Sequence, residues 1–154
     1  MLGSATSKGG TNNMNRIFGL LIASLIAVSV ARAADANIEV YMTSTPGGEE
    51  ETSFAADTPS LFAMFKTKGI KDGDKVRGVL IAEDVGDVAP ANTKVLEKTL
   101  ALNGDTDDGD FNFSKPTNGW PVGKYRVEVY VNDELATTAK FAIEATESDE
   151  ESGD

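Results

Sequence analysis

The chain has no cysteine and no histidine. Without cysteine there is no disulfide, so an exported domain would be held by its core alone. There is also no lipid-attachment cysteine, which excludes a lipoprotein. Without histidine the chain lacks the commonest general base, the commonest transition-metal ligand and the Ser-His kind of triad. Ser53, Ser60 and Ser114 have no such partner, and no spacing supports a Ser-Lys dyad. No glycine-rich loop lies between a strand and a helix, so there is no phosphate cradle. Carboxylate pairs exist by number alone in so acidic a chain. No catalytic set follows, and an enzyme is not expected. A long apolar run is missing too: Ile17 to Ala31 is shorter than the roughly 20 residues a membrane-spanning helix needs.

That short run carries the clearest message of the sequence. Asn15 and Arg16 give it a positive start, and Ala31-Arg32-Ala33 places small residues before a cut at Ala34. Met14 to Ala33 therefore reads as a secretory signal peptide. Met1 to Asn13 is rich in Gly, Ser, Thr and Asn without periodicity. It is either an extended leader or a start read too early, with Met14 the true one. The expected location is periplasmic or secreted, with no membrane span after cleavage.

Basic residues are scarce in what remains. Three of the 14 (Lys8, Arg16, Arg32) lie before the cut and none of the 25 acidic ones does, leaving 11 against 25, a net charge of −14. Phosphate backbones and anionic headgroups repel such a surface, so nucleic acid and lipid are poor partners. Cations and basic protein surfaces are favoured. The 121 residues from Ala34 on suffice for one domain and not two.

Short apolar runs separated by turn residues fill positions 34–143. Ile38 to Met42 alternates, and Pro46 to Glu51 is a polar loop. Leu61 to Thr67 is short and lacks a clean polar face, which favours a strand over a helix capped by Thr58 and Pro59. Lys71 to Asp74 is a turn. Val76 to Glu83 is a strand whose Val-Leu-Ile centre suggests burial on both faces. Gly86 to Asn92 is a loop, Val95 to Leu102 a strand, and Phe111 to Phe113 a short one. Tyr125 to Val131 and Leu135 to Ile143 make a final hairpin. Turn signals at such intervals predict an all-β sandwich of seven to eight antiparallel strands. In the hairpin, Leu135 is expected on the same face as Phe141 and Ile143, so Val131 must oppose Leu135 and Tyr125 must oppose Phe141. A plain Asn132-Asp133 turn would pair Val131 with Glu134 and bury Lys140. The register therefore needs a three-residue loop or a two-residue turn with a bulge. Glu144 to Asp154 is almost wholly Glu, Asp, Ser, Thr and Gly, an acidic tail expected to be disordered.

The stretch Trp120-Pro121-Val122-Gly123-Lys124-Tyr125-Arg126-Val127-Glu128-Val129-Tyr130, followed by a turn and Phe141-Ala142-Ile143, resembles the end of bacterial immunoglobulin-like and fibronectin-type-III-like modules. The resemblance implies a small exported Ig-like domain with Tyr125 closing a tyrosine corner onto nearby backbone. The cysteine pair and third-strand tryptophan of antibody-type domains are absent, with Leu80 in the tryptophan's place. The motif implies a fold and no activity.

Three features remain as candidates. Asp105, Asp107 and Asp110 lie in an acidic, Gly-bent stretch that could offer calcium its oxygen ligands. EF-hand spacing fails, however: counted from Asp105, position six is Asp110 and position twelve Pro116. The competing reading is a solvated turn. Trp120 is either a platform for a glycan or peptide, or the closure of one end of the core. Finally, Phe62 and Met64 should face away from the core if Leu61, Ala63 and Phe65 face it. Val79 and Ile81 stand in the same relation to Leu80, with Tyr130 nearby. Such outward apolar residues mark an interface unless a loop or an added strand covers them. The expected function is a non-enzymatic interaction module that binds a protein partner through a sheet face or edge strand, with Phe62, Met64, Val79, Ile81 and Trp120 as contacts and no cofactor. The alternative is a ligand-binding module, for calcium at the acidic loop or a glycan near Trp120.

Overall fold

A computed structural model describes residues 36–147, and these form a two-sheet β-sandwich. The signal-peptide and leader readings fall outside the described residues, as does the tail beyond Glu147. Eight strands follow in order: β1 (Asn37–Thr43), β2 (Ser53–Ala55), β3 (Ser60–Lys68), β4 (Lys75–Asp84), β5 (Thr93–Ala101), β6 (Asp108–Ser114), β7 (Gly123–Val131) and β8 (Glu134–Glu144). A single 3₁₀ turn, Gly86–Val88, interrupts the loop after β4. One sheet has the order β1-β3-β6 and the other β2-β8-β7-β4-β5. Leu61 to Thr67 is strand, as its aromatic and apolar character predicts.

One strand departs from expectation in two ways. β2 is absent from the sequence reading, because three residues carry no periodicity to read. It exists because Phe54 is buried, edge-on to Phe141 with ring centroids 5.5 Å apart. It also pairs parallel to β8, so the sandwich is not wholly antiparallel.

The core lies between the sheets. β3 sends Leu61, Ala63 and Phe65 inward and β6 adds Phe111 and Phe113. They meet Val76, Leu80 and Ala82 of β4 and Val127, Val129 and Val131 of β7. Phe111 sits where β4 has no side chain: a Cβ on Gly78 would lie 2.7 Å from its ring. Gly78 thus sets how closely the sheets approach. A Gly78→Ala change must move an aromatic ring in a close-packed interior.

The final hairpin resolves the register question. Asn132 and Asp133 both have positive φ (49° and 68°), the two-residue turn whose twist matches antiparallel strands. Val131 pairs with Glu134 and Tyr130 with Leu135. A bulge at Ala136 then shifts the register, and Tyr125 meets Phe141 as required. The two-residue turn with a bulge is the alternative adopted. Leu135 consequently lies beside Tyr130 rather than on the core side, and it is exposed. Lys140 stays outside.

Tyr125 makes the corner. Its hydroxyl donates to the Pro121 carbonyl at 2.6 Å, and its ring stacks on Phe141 with centroids 5.5 Å apart. Burial pushes the phenol pKa from 10.0 up to about 12. At the same end, Trp120 donates its indole N–H to the Thr58 carbonyl at 2.9 Å, and its backbone N–H to Ala56. It pins the β2–β3 loop across the core.

Candidate functional site

The sandwich has two outer faces, and its sequence marks an apolar pair on each. On the five-stranded sheet the pair is Val79 and Ile81 of β4. Their cross-strand neighbours are Glu97 and Lys94 on β5 and Glu128 and Arg126 on β7. These neighbours and those beyond them form a continuous polar network. The Arg126 guanidinium donates to Glu128 at 2.8 Å, to Asn92 at 2.7 Å and to Glu83 at 3.3 Å. Lys140 adds a second cation to Glu83 at 3.6 Å. The Tyr130 hydroxyl donates to the other oxygen of Glu128. Arg77 lies over the Tyr130 ring, 4.2 Å from its centroid, and reaches Glu97 and Asp133 at 3.7 Å.

The charges respond accordingly. The Tyr130 hydrogen bond, with Arg126 beside it, holds the Glu128 carboxyl below the ordinary glutamate range. The same bond raises the Tyr130 phenol, and bonding to Glu128 raises Arg126. Long side chains of this kind bury their stems and keep their heads wet. Val79 is left 5 % exposed and Ile81 8 %, although neither belongs to the core between the sheets. The expectation that they form an outward contact patch is therefore corrected. They are buried under the outer face of their own sheet.

The three-stranded sheet differs. Phe62 and Met64 point away from the core, between Leu61, Ala63 and Phe65, and both remain partly exposed. Met64 pairs with Tyr41 of β1 and with Asp110 of β6. Phe62 pairs with Thr43 and Asn112. Tyr41 is also partly exposed, so the three side chains make a small apolar strip. Glu39, Lys66 and Asp110 are exposed around it. No ion pair among the described residues spans this strip.

The other candidates are placed plainly. Trp120 is 3 % exposed with its indole N–H already bonded, so it is core closure and not a platform for a ligand. Asp105, Asp107 and Asp110 do not converge. Asp110 lies in β6, while the turn before that strand is organised by Asn103. The Asn103 carbonyl oxygen of the side chain accepts from the Asp105 N–H and the Thr106 hydroxyl, both at 3.1 Å. Gly104 donates its N–H to Asp72 at 2.7 Å. Among the described residues no group of three or more acidic side chains could hold a metal ion. No helix among them is long and apolar enough to cross a membrane.

The sequence reading missed the polar network. Its signal was present: Arg126, Glu128 and Tyr130 alternate on the side of β7 opposite Val127 and Val129. What periodicity cannot supply is the pairing of β7 with β4, which sets those groups beside Val79 and Ile81.

No protein-family model matches the chain, and no curated protein matches it in sequence. Among solved structures, the chain is similar to an immunoglobulin-like protein from Pseudomonas aeruginosa. The two share 16 % identity over 73 % of this chain and 99 % of that one, with a TM-score of 0.54. An alkylpurine DNA glycosylase from Pseudomonas fluorescens bound to abasic-site DNA matches at a TM-score of 0.46 and 15 % identity, over 71 % of this chain and 30 % of that one. A CARDB domain from Pyrococcus furiosus, in complex with di-metal ions, matches at 0.40 and 17 % identity, over 72 % and 92 %. At 16 % identity the likeness to the immunoglobulin-like protein is one of fold. The domain is an Ig-like β-sandwich.

Proposed function

We propose that this domain is an exported, non-enzymatic interaction module that binds a protein partner through the outer face of its three-stranded sheet. The observation that carries the reading is the contrast between two outward apolar pairs. Val79 and Ile81 are covered by their own sheet's side chains, whereas Phe62 and Met64, with Tyr41, are left partly open. Two large apolar side chains buried at an interface centre contribute roughly 1.5–3 kcal/mol each, enough to dominate binding. The strong negative charge favours a partner with a basic rim around its apolar contact. Export rests on the leader: the working protein begins at Ala34, which N-terminal sequencing of the exported species checks.

The test compares the exported protein with a Phe62→Asp, Met64→Asp variant as baits in envelope extract. The variant folds, because neither side chain is core. The expected result is a specific partner captured by the first bait and lost with the second. Equal capture by both would move the interface elsewhere.

A further inference from the structure

β5 is an open edge among the described residues: it pairs with β4 on one side and with no other described strand. Such a strand offers unpaired N–H and C=O groups to any strand that arrives. Two of the five large hydrophobic side chains that stay exposed among the described residues are on it, Leu96 at 39 % and Leu100 at 37 %. They pair across β4 with Leu80 and Val76, both core residues. Leu96, Lys98 and Leu100 therefore share the inward side of the strand. Lys98 crosses from there to the neighbouring sheet. Its ammonium donates to the Asn112 carbonyl on β6 and lies 6.0 Å from the Phe113 ring centroid.

The three residues are symmetric about Lys98. If β5 strands of two copies paired antiparallel about a two-fold axis at Lys98, each Leu96 would stand opposite the other copy's Leu100. Directly opposed residues point to the same side, so the apolar pairs would stack. Neighbouring in-phase registers are worse. An axis at Glu97 opposes Glu97 with itself and each Leu96 with a lysine. An axis at Thr99 sets each Leu100 against a lysine. The favoured axis has one defect: Lys98 faces Lys98 of the other copy.

We propose that Lys98 is an edge guard, the residue that keeps β5 of this chain from pairing with β5 of a second copy. The leucine spacing fits another β5 strand, and the lysine stands where that fit would centre. Charge on an edge is a recognised means of blocking strand addition. Here the tether to Asn112 also draws the side chain over the gap between β5 and β6. This surface is separate from the Phe62–Met64 strip, so the two proposals stand or fall independently.

Sedimentation of the exported protein across a concentration series tests it. The native protein sediments as a monomer. Lys98→Val, or Lys98→Thr where the valine variant does not fold, dimerises, with the equilibrium shifted by about tenfold or more. Lys98→Glu keeps a like charge on the axis and stays monomeric. Adding Leu96→Thr and Leu100→Thr to Lys98→Val restores the monomer. The proposal is overturned if the valine and threonine variants stay monomeric. It is equally overturned if they associate but the leucine changes leave that association intact, or if the native protein already dimerises through β5.

Discussion

The outer faces of the two sheets start from the same sequence device and end differently. β3 places Phe62 and Met64 away from the core, and β4 places Val79 and Ile81 likewise. On β4 the flanking strands supply Arg126, Glu128 and Tyr130 on one side and Lys94 and Glu97 on the other. These are long side chains that pair with one another above the apolar pair. On β3 the flanking strands supply Tyr41 and Thr43, then Asp110 and Asn112. Most are short, and none of them is joined in an ion pair among the described residues. An outward hydrophobe is thus covered or left available according to the strand beside it. Its own alternation does not decide which.

The largest test of that contrast exchanges a charge into each face. Ile81→Asp buries a carboxylate at a position 8 % exposed and is expected to cost about 3 kcal/mol or more, enough to unfold a marginal domain. Phe62→Asp is expected to cost about 1 kcal/mol or less. Denaturant midpoints of the two variants check it. Equal losses would erase the distinction between the faces.

Arg126→Ala asks whether the network matters to the fold. It leaves Glu128 and Glu83 without their shared guanidinium and uncovers Ile81. A loss of about 1–2 kcal/mol is expected, read from the same unfolding curves. High salt should reduce the loss only in part, because all three side chains are half-buried. Glu128 adds a pH dependence. Its folded carboxyl is held below the ordinary range, so its contribution is complete above that range and is lost as pH falls through the lowered value. Glu128→Gln should flatten the acid limb of a stability profile.

Tyr125→Phe is a smaller test at the end of the same strand. It removes the bond to Pro121 and is expected to cost about 1 kcal/mol. The phenol is neutral when protonated and its folded pKa is raised. Its contribution is therefore complete below pH 10.0 and is lost as pH rises toward about 12. The variant should lose part of the native protein's alkaline destabilisation. Tyr130, raised by its bond to Glu128, adds to that destabilisation.

Much of the fold was legible in local patterns. Short apolar runs between turn residues located seven strands, and the resemblance carried by Trp120 to Tyr130 implied the corner that the Tyr125 hydroxyl closes. Keeping Lys140 out of the core set Tyr125 opposite Phe141 and left two turn forms open, while Val131 pairs with Glu134 and not with Leu135. β2 was not legible, because Phe54 acts through its packing on Phe141 and a three-residue strand has no period. Leu135 was misplaced because a bulge at Ala136 flips everything before it. The site was legible only in outline. Phe62 and Met64 were identified with Val79 and Ile81, yet which pair is covered depends on pairings between strands distant in sequence. Trp120 illustrates the same limit, since its indole bond to Thr58 joins positions 62 residues apart.

The most direct measurement is site-specific photo-crosslinking in the cell envelope. The photoreactive side chain is placed at Phe62 on one face and at Arg77 on the other. The expected result is a discrete heterologous adduct from position 62 and none from position 77. An adduct from position 77 alone would contradict the assignment of the three-stranded face as the interface.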